Sequence, residues 1–204
     1  ATEGITSRTY RKLEKQLGYM MTPKIVIQNI IAHVTKPKDH IIMMATIDKK
    51  GIISLGSVGN IFINNDNYSY EYLTALLNST LLSWYAYHFI YGNAIRTMRF
   101  DNYHLARLPL HELSLNQQKP IIILVDQILD ITKDENYLSS RTKQGKVKEY
   151  QGQIDKLVYE LYGLTQEEVA ALVSGDIKKI ESWLGKLDKR HATWLWCRLS
   201  QEKW

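Results

Sequence analysis

Apolar residues in the first third of the chain fall in short, β-branched runs. From residue 70 onward they recur instead every three or four positions. Residues 24–31 (KIVIQNII), bounded by Pro23, predict a buried strand. Residues 41–47 predict a second, and Asp48-Lys49-Lys50-Gly51 supplies the chemistry of a chain reversal. Residues 52–55 and 59–63 continue the strands, and Asn64-Asn65-Asp66-Asn67 reads as another turn. A basic segment, residues 7–17, predicts a short helix ahead of this sheet.

Between residues 70 and 90 the period changes. Leu73, Leu76, Leu77, Leu81, Trp84, Tyr85 and His88 make one helical stripe, with Ser69 as N-cap and Gly92 as terminator. A polar, basic loop comes next and closes on a strand-like segment ending at Leu108-Pro109. Helices are expected at 120–133 and 146–162, packed antiparallel, with a flexible loop at 134–145 between them. Gly163 ends the second, and Thr165-Gln166-Glu167-Glu168 fits a capping box that starts another. A further helix is expected at 176–189. The tail, 193–204, carries Trp194, Trp196 and Trp204 and should dock on something apolar.

The pattern predicts an α+β fold: a small mixed or antiparallel sheet with a packed helix, followed by an antiparallel helical region. The divisions are a leading helix and linker at 1–19, a sheet-and-helix unit at 20–113 and a helical spacer with a C-terminal helical region at 114–204. A chain of 204 residues can bury one core with a helical appendage. No apolar run approaches the roughly 20 residues that span a bilayer, so no membrane partner is expected. The start has no signal-peptide layout, and an opening on Ala1 suggests a domain of a longer protein. A single cysteine, Cys197, rules out an internal disulfide and suits the cytoplasm.

Charge sharpens the picture modestly. The net charge is +5, and residues 1–113 hold 12 Lys/Arg against 8 Asp/Glu, so most of the excess lies in the first half. Such a field suits a polyanionic partner.

Catalysis by this chain alone is not expected. An adenine-modifying site needs a proline pair followed by an aromatic residue, and Pro23, Pro37, Pro109 and Pro120 are all isolated. Gly51, Gly56 and Gly59 have the wrong spacing for a nucleotide cradle and precede no helix. Asp48-Lys49-Lys50 is the nearest approach to a nuclease site, and it reads better as a turn. His33, His40, His88, His104, His111 and His191 form no close ligand pair, so neither a metal nor a cofactor is expected in this chain.

Binding chemistry is better represented. In the loop 91–103 (YGNAIRTMRFDNY), Arg96 and Arg99 offer bidentate forks that match guanine O6 and N7 or a phosphate. Asn93 and Asn102 carry the amide that matches adenine N6 and N7, and Thr97 adds a hydroxyl. A second set, Lys36, Lys38 and His40 in one turn and Lys49 and Lys50 in another, suits phosphate contacts. Both sets read equally as solvated connectors.

One family combines these features. The order of a buried strand, short strands, Leu76-Leu77-Asn78-Ser79, Trp84-Tyr85 and Leu108-Pro109 resembles the TaqI-like C-terminal specificity domain of N6-adenine DNA methyltransferases and fused type IIG restriction–modification enzymes. Ile154-Asp155-Lys156-Leu157-Val158-Tyr159, then Leu161-Tyr162-Gly163-Leu164-Thr165 with Glu167-Glu168, is similar to a closing signature of the same family. The resemblance implies a double-stranded DNA partner and an upstream methyltransferase domain, with or without a nuclease. That upstream domain would bind S-adenosylmethionine. The recognition domain of a type I specificity subunit is the nearer alternative. A helical protein-interaction module without DNA binding is the more distant one.

Overall fold

The computed structural model describes residues 7–36, 38–54 and 56–174. The helix expected at 176–189, the Trp-rich tail and Cys197 lie outside the described residues. The order of elements is α1 (Ser7–Met20), β1 (Lys24–Gln28), β2 (Ile30–Ile31), β3 (His33–Val34), β4 (His40–Ile41), β5 (Ala45–Asp48) and β6 (Val58–Ile61). Then come α2 (Tyr70–Asn78), α3 (Thr80–Tyr85), a π-helical turn (Ala86–Ile90), β7 (Met98–Arg99), α4 (Asn102–Leu105), α5 (Leu115–Thr132), α6 (Arg141–Leu161) and α7 (Gln166–Ser174). The fold is α+β.

Strand β1 is the centre of a three-stranded antiparallel sheet in the order β5-β1-β6. Ile25 and Ile27 are almost fully buried, with α2 packed on their strand. The apolar run expected as one strand divides at Asn29. There the backbone N–H donates to Ser57 O and the carbonyl accepts from Phe100 N, so the chain leaves the sheet. It re-forms as β2, which pairs with β7 in a separate ribbon. A third ribbon joins β3 to β4, so the strand expected at 41–47 is also broken. Ile52, Ile53 and Ser54 are not in a strand, and Leu55 is not described.

The reversal at 48–51 is present but has a buried anchor. Lys24 Nζ lies 2.5 Å from Asp48 Oδ2, with their side chains 0% and 6% exposed. Asp48 also accepts from the N–H groups of Lys50 (2.9 Å) and Ile52 (2.6 Å). Gly51 has φ +70°, and a Cβ there would collide with the Met21 backbone. Only glycine meets both demands.

The long helix expected at 70–90 is two helices and a π turn. Ser79 is extended (φ −70°, ψ 147°), closing α2 and capping α3 through a bond from Leu82 N to its Oγ. The break is stable because its free backbone groups find partners. Ser79 Oγ donates to Leu76 O at 2.7 Å, and Asp155 on α6 accepts from Thr80 N and Oγ1 at 2.9 and 2.7 Å. Asn78 is spent on β5, accepting from Ala45 N (2.9 Å) and donating to Ala45 O (2.8 Å).

Helix α5 starts five residues before Pro120, because Gln117 Oε1 accepts from both Ser114 N and Ser114 Oγ and fixes the first turn there. The segment expected as a flexible loop at 134–145 is a 3₁₀ turn (Tyr137–Ser139) followed by the start of α6, with Ser140 as N-cap. Helices α5 and α6 pack antiparallel: the end of α6 returns to the start of α5, where Tyr162 OH donates to Pro109 O and accepts from His111 N. Gly163 (φ +67°) ends that run, and both halves of the Thr165–Glu168 capping box form. Residues 106–114 form no strand; Leu108 and Leu110 are held as buried irregular chain.

The core is continuous across the division at 113/114. Ile121, Val125, Ile154, Val158, Ala171 and Leu172 join the cluster built on Leu76, Leu81 and Leu82. Gln118, fully buried, accepts from Ser69 N and Oγ and donates to Asn67 O and Leu113 O, so all of its polar capacity is used.

Candidate nucleic-acid interface

The basic loop begins where the helix widens. Tyr91 N reaches back to Ala86 O at 2.9 Å, and Asn93 N to Tyr87 O at 3.0 Å. Gly92 and Asn93 then take φ +57° and +60°, turning the chain away. Asparagine tolerates this left-handed geometry better than most residues. Its side-chain carbonyl is engaged by His88 Nδ1. Burial lowers the His88 pKa, a shift that Asn93 opposes and the Lys38 charge reinforces.

The far side of the loop is equally anchored. Met98 is buried opposite Ile31, and Phe100 is 1% exposed. Tyr91 OH donates to Arg99 O at 2.8 Å and its ring stacks on His104. Asp101 caps α4 by accepting from Tyr103 N and His104 N, and its Oδ1 also lies 2.7 Å from His104 Nδ1. Burial alone would raise the Asp101 pKa; the His104 and Tyr103 contacts outweigh it and lower it. What remains free is the tip: Ile95 is 75% exposed, and Arg96, Thr97 and Arg99 are exposed beside it. Among the described residues, neither arginine side chain has a hydrogen bond or ion pair. Arg107, by contrast, donates to Phe89 O and lies over the Tyr103 ring.

The lysines separate into two groups. The β3–β4 ribbon packs on the π turn, with His33 stacked on Tyr87, so Lys36, Lys38 and His40 neighbour the loop. Lys36 is exposed. Lys38 donates to Leu172 O (2.8 Å) and Val173 O (2.5 Å), capping α7. Burial lowers its pKa. His40 Nδ1 donates to Lys38 O at 2.7 Å, leaving Nε2 as the acceptor of the neutral ring.

Lys49 and Lys50 belong elsewhere. Lys49 pairs with Glu71 (3.0 Å) at the start of α2, a contact that raises its pKa. The Asp126 and Asp130 charges of α5 also act on Lys49, whereas the β3–β4 ribbon packs on the π turn beyond the Ser79 break. Lys50 is exposed in the same turn.

Two features were not singled out by the sequence. An open cleft of about 370 Å³ lies between β1, β6 and α4, with Asn29, Asn60, Asn102 and Tyr103 around an apolar floor of Ile27 and Phe100. Of the loop candidates only Asn102 borders it. The other is Ile30, 47% exposed and paired directly with Arg99. Strand alternation across the break at Asn29 was the only signal for it.

No group of three or more His, Cys, Asp or Glu among the described residues could hold a metal. Gly51, Gly56 and Gly59 lie around the β5–β6 connection and open no helix. No helix among the described residues is long and apolar enough to cross a membrane. A family model, the TaqI-like C-terminal specificity domain, matches residues 3–110. The signature at 154–168 lies beyond that match. No curated protein matches the chain.

Proposed function

The chain belongs to the family of TaqI-like C-terminal specificity domains, target-recognition modules of restriction–modification methyltransferases, and on that footing we propose that it reads a DNA sequence through the 91–103 loop. The loop would enter the major groove. Lys36 and the β3–β4 ribbon would lie along the adjacent phosphates. The observation that carries this is the state of Arg96 and Arg99: exposed and without a partner among the described residues, on a loop tied down at both ends. A bidentate guanidinium on a fixed support suits a base edge, because little conformational freedom is lost on binding.

The chemistry would belong to a methyltransferase domain of the same polypeptide, acting on adenine N6 with S-adenosylmethionine, in the cytoplasm where it meets DNA. A nuclease fused to that domain is compatible with the same recognition role. The folding of α5 and α6 back onto the recognition unit favours this over a type I subunit, whose spacer helices would project as a coiled coil.

Binding of the chain to random-sequence duplex DNA at several salt concentrations tests the reading. Two to four phosphate contacts should give a log–log slope of about −2 to −4, at roughly 0.9 per contact. A flat salt response, or no association at low salt, would overturn DNA recognition and leave the protein-interaction alternative.

A further inference from the structure

The β2–β7 ribbon sets a second exposed side chain, Ile30, beside the Arg99 that the proposed function uses. Its two residue pairs alternate cleanly: Ile31 and Met98 face the core at 1% and 6% exposure, while Ile30 and Arg99 face out. Directly opposed residues of an antiparallel pair point to the same side, with Cβ atoms about 5 Å apart. Ile30 and Arg99 therefore present one apolar branch and one guanidinium side by side. The pair is held in place beneath by Ile31 and Met98, and the backbone is clamped by Phe100 N on Asn29 O (2.8 Å) and Tyr91 OH on Arg99 O (2.8 Å).

A major groove offers a match for this combination. It admits a two-stranded ribbon, and its floor carries one kind of apolar group, the C5 methyl of thymine. Guanine presents O6 and N7 to an arginine fork on the same floor. Successive bases are about 3.4 Å apart along a strand, a step that two cross-strand side chains can span. Isoleucine cannot hydrogen-bond, so a pyrimidine methyl is the part of a base edge that it can favour.

Resting on the proposed DNA recognition, we propose that Ile30 and Arg99 together read a two-base-pair step: Arg99 takes a guanine and Ile30 packs on the C5 methyl of a pyrimidine in the neighbouring pair. Thymine and 5-methylcytosine supply the same methyl. Cytosine and uracil lack it.

The test begins by selecting the preferred duplex from a random library with the full 204-residue chain. Each thymine of that duplex is then replaced singly by deoxyuridine, which removes one methyl from the DNA and leaves the protein intact. We expect one thymine, in the pair next to a preferred guanine, to lose about fourfold in affinity, the value of one buried methyl group. Restoring the methyl on a cytosine analogue placed there should recover part of that loss. Ile30→Ala should be indifferent to the replacement, Ile30→Val should keep most of it, and Arg99→Ala should lose the preference for the adjacent guanine. Indifference of wild type to every deoxyuridine overturns the assignment. So does a full penalty that persists in Ile30→Ala or disappears instead in Ile95→Ala. Failure to bind any DNA in a salt-dependent way would instead remove the underlying recognition role.

Discussion

Asn78 grips the backbone of Ala45 with both halves of its amide, accepting from the N–H at 2.9 Å and donating to the carbonyl at 2.8 Å. The end of α2 is thus joined to strand β5 as a neighbouring strand would be. The same Nδ2 also donates to Thr74 O, so the side chain cannot swing away without losing three bonds.

Asn78→Ala should therefore destabilise the fold by about 2–3 kcal/mol, because two edge-strand groups lose partners in a part-buried setting. Asn78→Asp keeps the acceptor and loses the donor, and should fall between. Urea denaturation of the three proteins checks the order. An alanine variant as stable as wild type would mean that water replaces the amide at no cost.

The Lys24–Asp48 pair gives a pH-dependent counterpart. Burial by itself would raise the Asp48 pKa, but the Lys24 ammonium and the amides of Lys50 and Ile52 outweigh it and lower it below the ordinary 3.8. A depressed folded pKa contributes stability above the unfolded value, and that stability is lost as pH falls through the folded one. Asp48→Asn should cost about 3–5 kcal/mol at neutral pH by leaving Lys24 buried without a counter-charge. The gap between wild type and variant should narrow as pH falls below about 4. Denaturation midpoints at pH 7, 5 and 3 measure it; a gap constant over that range would show that the carboxylate is not the stabilising species.

Two lysines one proline apart should behave differently. Lys36 is exposed and has no partner among the described residues, so Lys36→Ala should weaken DNA binding at all sequences and flatten the salt slope by about 0.9, with little change in stability. Lys38 donates to two carbonyls on the last turn of α7, so Lys38→Ala should lower stability by about 1–2 kcal/mol and change the salt slope less. Parallel titrations and melting curves separate them. Equal slope changes would mean that Lys38 leaves α7 when DNA binds.

Arg96→Ala and Arg99→Ala should alter preference rather than general affinity, each relaxing discrimination at one position by about 1–3 kcal/mol. Competition between the selected duplex and single-base variants is the measurement. A uniform loss across all variants would make them phosphate contacts.

Much of the framework was legible. The β-branched runs located the sheet, Gly51, Gly92 and Gly163 marked reversals with positive φ, and Thr165–Glu168 capped its helix as its spacing implied. The breaks were not. Asn29 ends β1 because Ser57 and Phe100 supply partners from distant segments, and Ser79 interrupts an apolar stripe because Asp155, far along the chain, caps the first turn of α3. Local periodicity carries neither fact. For the candidate site, sequence identified the chemistry of Arg96 and Arg99 but not their freedom. It could not distinguish Lys36 from Lys38, since that difference is made by two carbonyls at residues 172 and 173. The outward pairing of Ile30 with Arg99 was hidden within an apolar run that looked uniformly buried.

The cap that Asp155 places on α3 has a consequence for how specificities are exchanged between relatives. The matched family segment ends at residue 110, yet the carboxylate, the buried amide of Gln118 and the hydroxyl of Tyr162 that complete its interior all come from later in the chain. A graft cut at that boundary would carry the 91–103 loop but leave open one end of the helix that supports it, and a fragment of residues 1–113 should show no cooperative melt. The transferable cassette is longer than the recognisable one, and its last indispensable residues hold the helix and not the loop.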